Sequence, residues 1–229
     1  MAQADVRTVA LIGSADSGKT SLAEALAHAS GVVGRKGSVA EGTTVADYET
    51  EEKEKKHSFQ LSILHLPRKS GAIDLVDTPG YPEFIGDAVA ALAVADAAIL
   101  CVAASATVPF HARTLWARAE AAGVARAIVV TKPDAPNVEL DAVLGAIGSA
   151  FGDRVVPVSI PDGLGAKLGR VVEVLRTPAD APAHVKDRAA SALATFTERV
   201  VEADEKLMES YLEAGSVAPD TLEKAIPKA

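Results

Sequence analysis

Residues 13–20, Gly-Ser-Ala-Asp-Ser-Gly-Lys-Thr, restrict the fold more than any other stretch of this chain. They fit the pattern G-x-x-x-x-G-K-[ST], follow an apolar run at 6–13 that reads as a buried strand, and lead into a helical pattern at 19–28. By residue frequencies, about one chain in a hundred of this length carries the pattern by chance, and the strand–loop–helix setting makes chance rarer still. Glycines let the backbone curl until successive N–H groups point inward, and the helix start adds its positive end, so the loop suits a phosphate group. Lys19 would reach the β- and γ-phosphates of a nucleotide, and the Thr20 hydroxyl would hold Mg²⁺. The candidate cradle is Gly13, Ser14, Ala15, Asp16, Ser17, Gly18, Lys19, Thr20 and Ser21.

Such a loop calls for a parallel sheet around it, and the pattern of the chain agrees. Residues 58–66 alternate apolar Phe59, Leu61 and Ile63 with polar neighbours, 68–71 turn the chain, and 72–77 resume a strand, which predicts a hairpin. Further β-rich runs lie at 99–103, 127–131 and 155–159, separated by helical stretches at 84–94, 109–122 and 138–151. The alternation predicts an α/β fold, a P-loop NTPase of three α/β/α layers with a mostly parallel sheet. A helical bundle does not explain so many Val/Ile runs ending at Gly, Asp or Pro. Hydrophobic residues make up 48% and charged residues 24%, which excludes wholesale disorder. Aromatics are only 4%, so the core falls to Ala, Val, Leu and Ile. Cys101 is the one cysteine, which excludes an internal disulfide and a cysteine-rich zinc module.

Two segments break the rhythm. Residues 31–56 carry glycines, threonines and the charge run 49–56 with no apolar periodicity, and a connection that long in a compact domain is functional or mobile. Residues 161–182 are rich in Gly and Pro, and beyond them Val185, Ala189, Leu193, Phe196, Val200, Leu207 and Tyr211 recur at helical spacing, with Gly215 as a stop. The expected organisation is a P-loop domain at 1–160, a linker at 161–182 and a helical segment at 183–229. From Asp180 onward there are ten acidic and six basic side chains, an acidic satellite. A net charge of −8 argues against a broad nucleic-acid-binding face, DNA included, while leaving room for a small RNA-facing patch. No apolar run reaches the roughly 18 residues of a membrane helix, and the first five residues lack the pattern of a signal peptide. A cytoplasmic, monomeric protein away from membranes is the expectation.

Two more motifs follow the phosphate loop in order. Asp77-Thr78-Pro79-Gly80 ends the second hairpin strand, where an aspartate beside the loop can hold Mg²⁺ through water and the Gly80 N–H can approach a γ-phosphate. Thr131-Lys132-Pro133-Asp134 ends a later strand. The Asp134 carboxylate there can accept from both N1–H and the exocyclic amine of guanine, a pair of donors adenine lacks, and the Lys132 stem can lie along the purine.

These three motifs, in this order and spacing, resemble a GTP-binding domain, and their flanks resemble the amino-terminal GTPase domain of elongation factor G, the ribosomal translocase. The resemblance rests on the loop with Asp16, on Glu41-Gly42-Thr43-Thr44-Val45-Ala46-Asp47-Tyr48 and the charged stretch before Ser58, on residues 77–84, and on the 109–119 helix with Trp116. Residues 201–208 with 211–213 resemble the helical insert of that family's GTPase domain, and the likeness is nearest to the divergent second-copy type of elongation factor G. It implies GTP and GDP as ligands with Mg²⁺, a monovalent cation near Asp16, and the ribosome, RNA and protein, as partner. It also implies GTP hydrolysis coupled to translocation, with Lys19, Gly80 and Tyr81 at the reacting phosphate. Ser58 falls where the family's mobile first switch places a threonine on Mg²⁺ and the γ-phosphate, so Thr20, Ser58 and Asp77 form the implied metal set, and residues 31–56 are that switch and its approach.

Three departures qualify the likeness. Tyr81 stands where the family has the histidine that positions the attacking water, and a phenol is not a cation at neutral pH, so hydrolysis is expected to be slow. Thr131 stands where asparagine is usual; it keeps a hydroxyl to brace the loop but loses the amide's donors. The family's serine-alanine base-contacting loop has no counterpart before Ala229, and Ser159 reads as structural, so the expectation is a chain that ends before the domain's last strand. Other readings stay open: a GTP-binding regulatory module with little hydrolysis, a ribosome-recycling GTPase, and an ATP-using P-loop enzyme. His28, His57, His65 and His111 show no metal-ligand spacing, and Cys101, inside an apolar strand, reads as a buried small side chain.

Overall fold

A computed structural model describes residues 5–226. Residues 1–4, within the opening stretch read for a signal-peptide pattern, and 227–229, the end of the expected helical segment, lie outside the described residues. The chain divides into two compact units, residues 1–132 and 133–229.

In the first unit, β1 (Val6–Ile12), β2 (Ser62–Arg68), β3 (Gly71–Asp77), β4 (Ala97–Ala103) and β5 (Ala125–Thr131) form one sheet in the order β2-β3-β1-β4-β5. β1 pairs in parallel with β3 and with β4, and β4 pairs in parallel with β5; β2 and β3 are the antiparallel hairpin. The expected mostly parallel sheet is present. Strands covered on both faces must be apolar at every position, and Ala10, Leu11 and Ile12 of β1 are wholly buried. Alternation sends Leu11 and Val9 to one face, where they cluster with Leu75 of β3 and with Ala23 and Ala27 of α1 (Lys19–Ala29). α2 (Thr50–Lys55), α3 (Ile85–Leu92) and α4 (Phe110–Ala121) complete the unit, with α3 packed on β1 and α4 on β4 and β5. Burying a leucine such as Leu11, Leu75 or Leu100 stabilises the layer by about 1.5–3 kcal/mol each. The register sets Leu11 opposite Asp77 and Ala103 opposite Thr131, so the motif residues leave the sheet at one edge, the carboxyl ends of its parallel strands.

The second unit holds α5 (Leu140–Phe151), β6 (Ser159–Pro161), β7 (Val171–Glu173), α6 (Ala183–Val201), α7 (Glu205–Ala214) and α8 (Pro219–Ala225). β6 and β7 form their own two-stranded antiparallel sheet. The 161–182 stretch, expected as a linker, is packed: Ile160, Val172, Val174 and Ala181 share a core with Val185, Ala189 and Ala192 of α6. The expected helical segment consists of separate helices: α6 ends at Val201, and the Asp204 carboxylate accepts from the Leu207 N–H to start α7. Gly215 ends α7 in the left-handed conformation, as expected of a stop.

Three strand and helix expectations shift for a physical reason. β2 begins at Ser62 rather than Ser58, because the Phe59 and Gln60 N–H groups donate to Glu52 and the Leu61 N–H donates to Asp87, which takes them out of the ladder. The 155–159 strand is displaced to Ser159–Pro161, where it pairs with β7 instead of joining the parallel sheet. The 49–56 charge run does form a helix, but it is not wholly solvated: Glu52 is buried, its carboxylate bonded to the N–H groups of Glu49, Phe59 and Gln60.

Candidate functional site

The chain leaves β1 at Gly13 with φ of 149°, and a Cβ there would come within 2.5 Å of the Cys101 carbonyl oxygen and 2.7 Å of Ser17 Oγ. Only glycine fits between β4 and the loop. Asp16 takes the left-handed conformation at φ of 57° with its side chain exposed, and Gly18 opens α1. Thr20 and Ser21 follow on α1, Ser21 exposed. A cavity of about 130 Å³ adjoins the loop between Ser14, Ala15 and Ser17 and the ends of β4 and α4.

The Lys19 ammonium is buried and donates to the carbonyl oxygens of Gly13 and Ser14, both at 3.0 Å. Burial pushes its pKa down, opposed by the neighbouring Asp77. A Cβ on Gly80 would lie 2.5 Å from Lys19 Nζ and 2.6 Å from the Ala15 nitrogen. The 77–80 turn therefore closes directly over the phosphate loop.

Oxygen atoms converge next to it. Thr20 Oγ1 donates to Asp77 Oδ2 at 2.7 Å and lies 3.3 Å from Ser58 Oγ, and Ser58 Oγ donates to Asp47 Oδ1 at 2.6 Å. Asp47 also accepts from Thr44 Oγ1 at 2.9 Å. Asp77 Oδ1, Ser14 Oγ and Ser17 Oγ are buried with no partner among the described residues. Burial lifts the Asp77 carboxyl to about 7, with the carboxylates of Asp47 and Glu52 adding to the rise and the Thr20 hydrogen bond and Lys19 opposing it. Hydroxyl and carboxylate oxygens with one buried acceptor unused suit a hard divalent cation such as Mg²⁺. The three expected metal residues are thus brought together. Asp47 joins them unexpectedly: it lies in the Glu41-to-Tyr48 run, and its Thr44-x-x-Asp47 spacing was the only local sign.

Tyr81 is exposed, its ring 4.8 Å from that of His57, and His57 also meets Phe59 edge-on at 4.6 Å. Thr131 Oγ1 donates to the Ser17 carbonyl at 2.7 Å and lies 3.3 Å from that of Val102, so it braces the phosphate loop as its hydroxyl suggested. Lys132 is exposed with φ of 53°. Asp134 belongs to the second unit, exposed, beside Pro133, whose carbonyl accepts from the Gly165 N–H at 2.8 Å. Cys101 is buried and its thiol pushed up to about 12 by that burial, which suits packing rather than nucleophilic chemistry.

Comparison with known proteins agrees with this arrangement. Residues 4–220 match the family described as the elongation factor Tu GTP binding domain. An elongation factor G-like protein of Mycobacterium tuberculosis, found alike in two strains, is 36% identical over 236 residues, covering 98% of this chain and 32% of the relative. A crystal structure of a protein from Thermus thermophilus superposes with a TM-score of 0.86 at 35% identity, over 96% of this chain and 34% of that one. The chain thus spans about a third of the length of the curated relatives it matches. With the phosphate loop, the Asp77 turn and the braced Thr131 on one edge of a parallel sheet, this chain belongs to the elongation factor Tu GTP-binding domain family, as a GTPase domain of the elongation factor G-like kind.

Proposed function

We propose that this chain binds GTP with Mg²⁺ and hydrolyses it, and that the whole protein couples this to ribosomal translocation in the cytoplasm. The observation that carries the reading is the convergence of Lys19, Thr20, Ser58, Asp77 and Gly80 on the loop at 13–20. Loop amides and Lys19 would hold the phosphates, and Thr20, Ser58 and the buried Asp77 carboxylate would hold the metal beside them. Mg²⁺, when bound, supplies charge neutralisation at the transferring phosphoryl group. Gly80 would offer its N–H to the γ-phosphate, Asp134 would accept from the guanine edge, Lys132 would cover the purine, and Asp16 would offer a carboxylate to a monovalent cation. The 183–229 helices serve as the family's helical insert, and the nucleotide and the ribosome are the partners.

Tyr81 favours a second reading, a nucleotide-gated regulatory module that turns over slowly, since a phenol holds water by hydrogen bonding but carries no positive charge. Single-turnover GTP hydrolysis with and without ribosomes separates the two: ribosome-stimulated cleavage supports the translocase, and its absence supports the module. Titration with fluorescent GDP and ADP tests the nucleotide itself, and equal affinities refute the assignment to guanine.

A further inference from the structure

Glu24 lies on α1 one turn after Thr20 and so on the same helix face. It is wholly buried, and a carboxylate withdrawn from water needs hydrogen-bond donors. Those it finds are backbone groups of a distant segment: Oε2 accepts from the Gly37 N–H at 2.9 Å, and Oε1 accepts from the Val45 N–H. Between these two points the chain closes on itself. The Ser38 N–H donates to Thr43 Oγ1 at 3.0 Å and the Thr43 N–H to the Ser38 carbonyl at 3.1 Å, while a Cβ on Gly37 would collide with the Thr43 carbonyl. Glu24 thus clamps both ends of a small closed loop. Two residues past Val45 stands Asp47, whose carboxylate takes the Ser58 hydroxyl and holds it beside Thr20.

We propose that Glu24 is a positioning residue that anchors the 37–48 segment to α1, and that through Asp47 it presents Ser58 to the metal and γ-phosphate without touching the nucleotide. The inference rests on the GTP-binding reading above and deepens it. One helix then carries both halves of the device, Thr20 for the metal and Glu24 for the segment that must close over it. A ligand that uses Ser58 gains from the anchored state and a ligand that does not is indifferent, so Glu24 sets the preference for triphosphate over diphosphate.

The test is Glu24→Gln in the intact chain. The amide keeps the size and one acceptor but turns an NH₂ donor toward one of the two backbone N–H groups. The affinity for a non-hydrolysable GTP analogue with Mg²⁺ should fall about tenfold while GDP affinity stays within about twofold. Hydrogen exchange at the Gly37 and Val45 amides should quicken in the analogue-bound state, with exchange in β1 and β4 unchanged. Gly37→Ala, which opens the same loop from its other side, should reproduce both effects even if the Gln variant folds poorly. Equal loss of GDP and analogue affinity in both variants, or an unchanged affinity ratio with unchanged exchange, overturns the inference. A wild-type chain that binds neither nucleotide overturns the functional reading as well, whereas a wild type that discriminates beside variants that discriminate equally overturns this inference alone.

Discussion

The Thr131 hydroxyl is the sole side-chain donor from β5 to the phosphate loop among the described residues, reaching the Ser17 carbonyl at 2.7 Å. Thr131→Val keeps the branched shape and removes only that hydroxyl. Loss of the hydrogen bond costs about 1 kcal/mol net, and about 2 kcal/mol if the Ser17 carbonyl finds no substitute partner. The loop must be ordered to hold phosphate, so that cost passes into binding as about a five- to thirtyfold weaker affinity for GDP. A chain of this size should also lose about 2–8 °C in its thermal midpoint. Isothermal titration with GDP, paired with a melting curve, measures both. Thr131→Ser, which keeps the hydroxyl, is the control and should bind as the parent does. A valine variant with parental GDP affinity refutes the idea that Thr131 replaces the usual asparagine as the brace.

Three other expectations follow from the same geometry. Tyr81→Phe removes one oxygen and leaves the ring against His57, so GDP affinity should hold within about twofold while the single-turnover hydrolysis rate changes; a variant that lost GDP affinity would show the side chain to be misplaced. Gly80→Ala sets a methyl 2.5 Å from Lys19 Nζ and 2.6 Å from the Ala15 nitrogen, a backbone clash that must displace the turn, and the GTP-analogue complex should weaken at least about tenfold more than the GDP complex. The Asp77 carboxyl, raised to about 7 in the metal-free protein, must lose its proton to serve a cation, so Mg²⁺ affinity measured by titration should decline as pH falls below about 7. For stability the sign reverses: the contribution of a raised carboxyl is complete below its ordinary pKa and is lost as pH rises through about 7, so the metal-free chain should melt lower at pH 8 than at pH 5. Asp77→Asn should flatten both trends, and unchanged trends would assign them to another group.

The phosphate loop, the order of its partner motifs and the parallel sheet were all legible in the chain itself. Each is a local pattern: glycines at fixed offsets, apolar runs that end at Asp77 and Thr131, and helical spacing between them, so neighbouring residues carry the whole signal. What local pattern could not reveal are the buried carboxylates. Glu24, Asp47 and Glu52 sit among ordinary polar neighbours, and nothing near Glu52 in sequence distinguishes it from Glu51 or Glu54 on the same helix. Each is decided by backbone N–H or hydroxyl donors that lie up to 21 residues away, and the donors to Glu52, with the Leu61 N–H on Asp87, delay β2 until Ser62. Likewise, the packing of 161–182 came from Ile160, Val172 and Val174 meeting α6, residues whose spacing alone reads as a loop. Thus the sequence determined the phosphate-binding chemistry and the class of sheet, because short-range backbone geometry encodes them. The tertiary structure alone decided how the 37–60 segment is held against that chemistry, because a carboxylate leaves water only where folding supplies its donors.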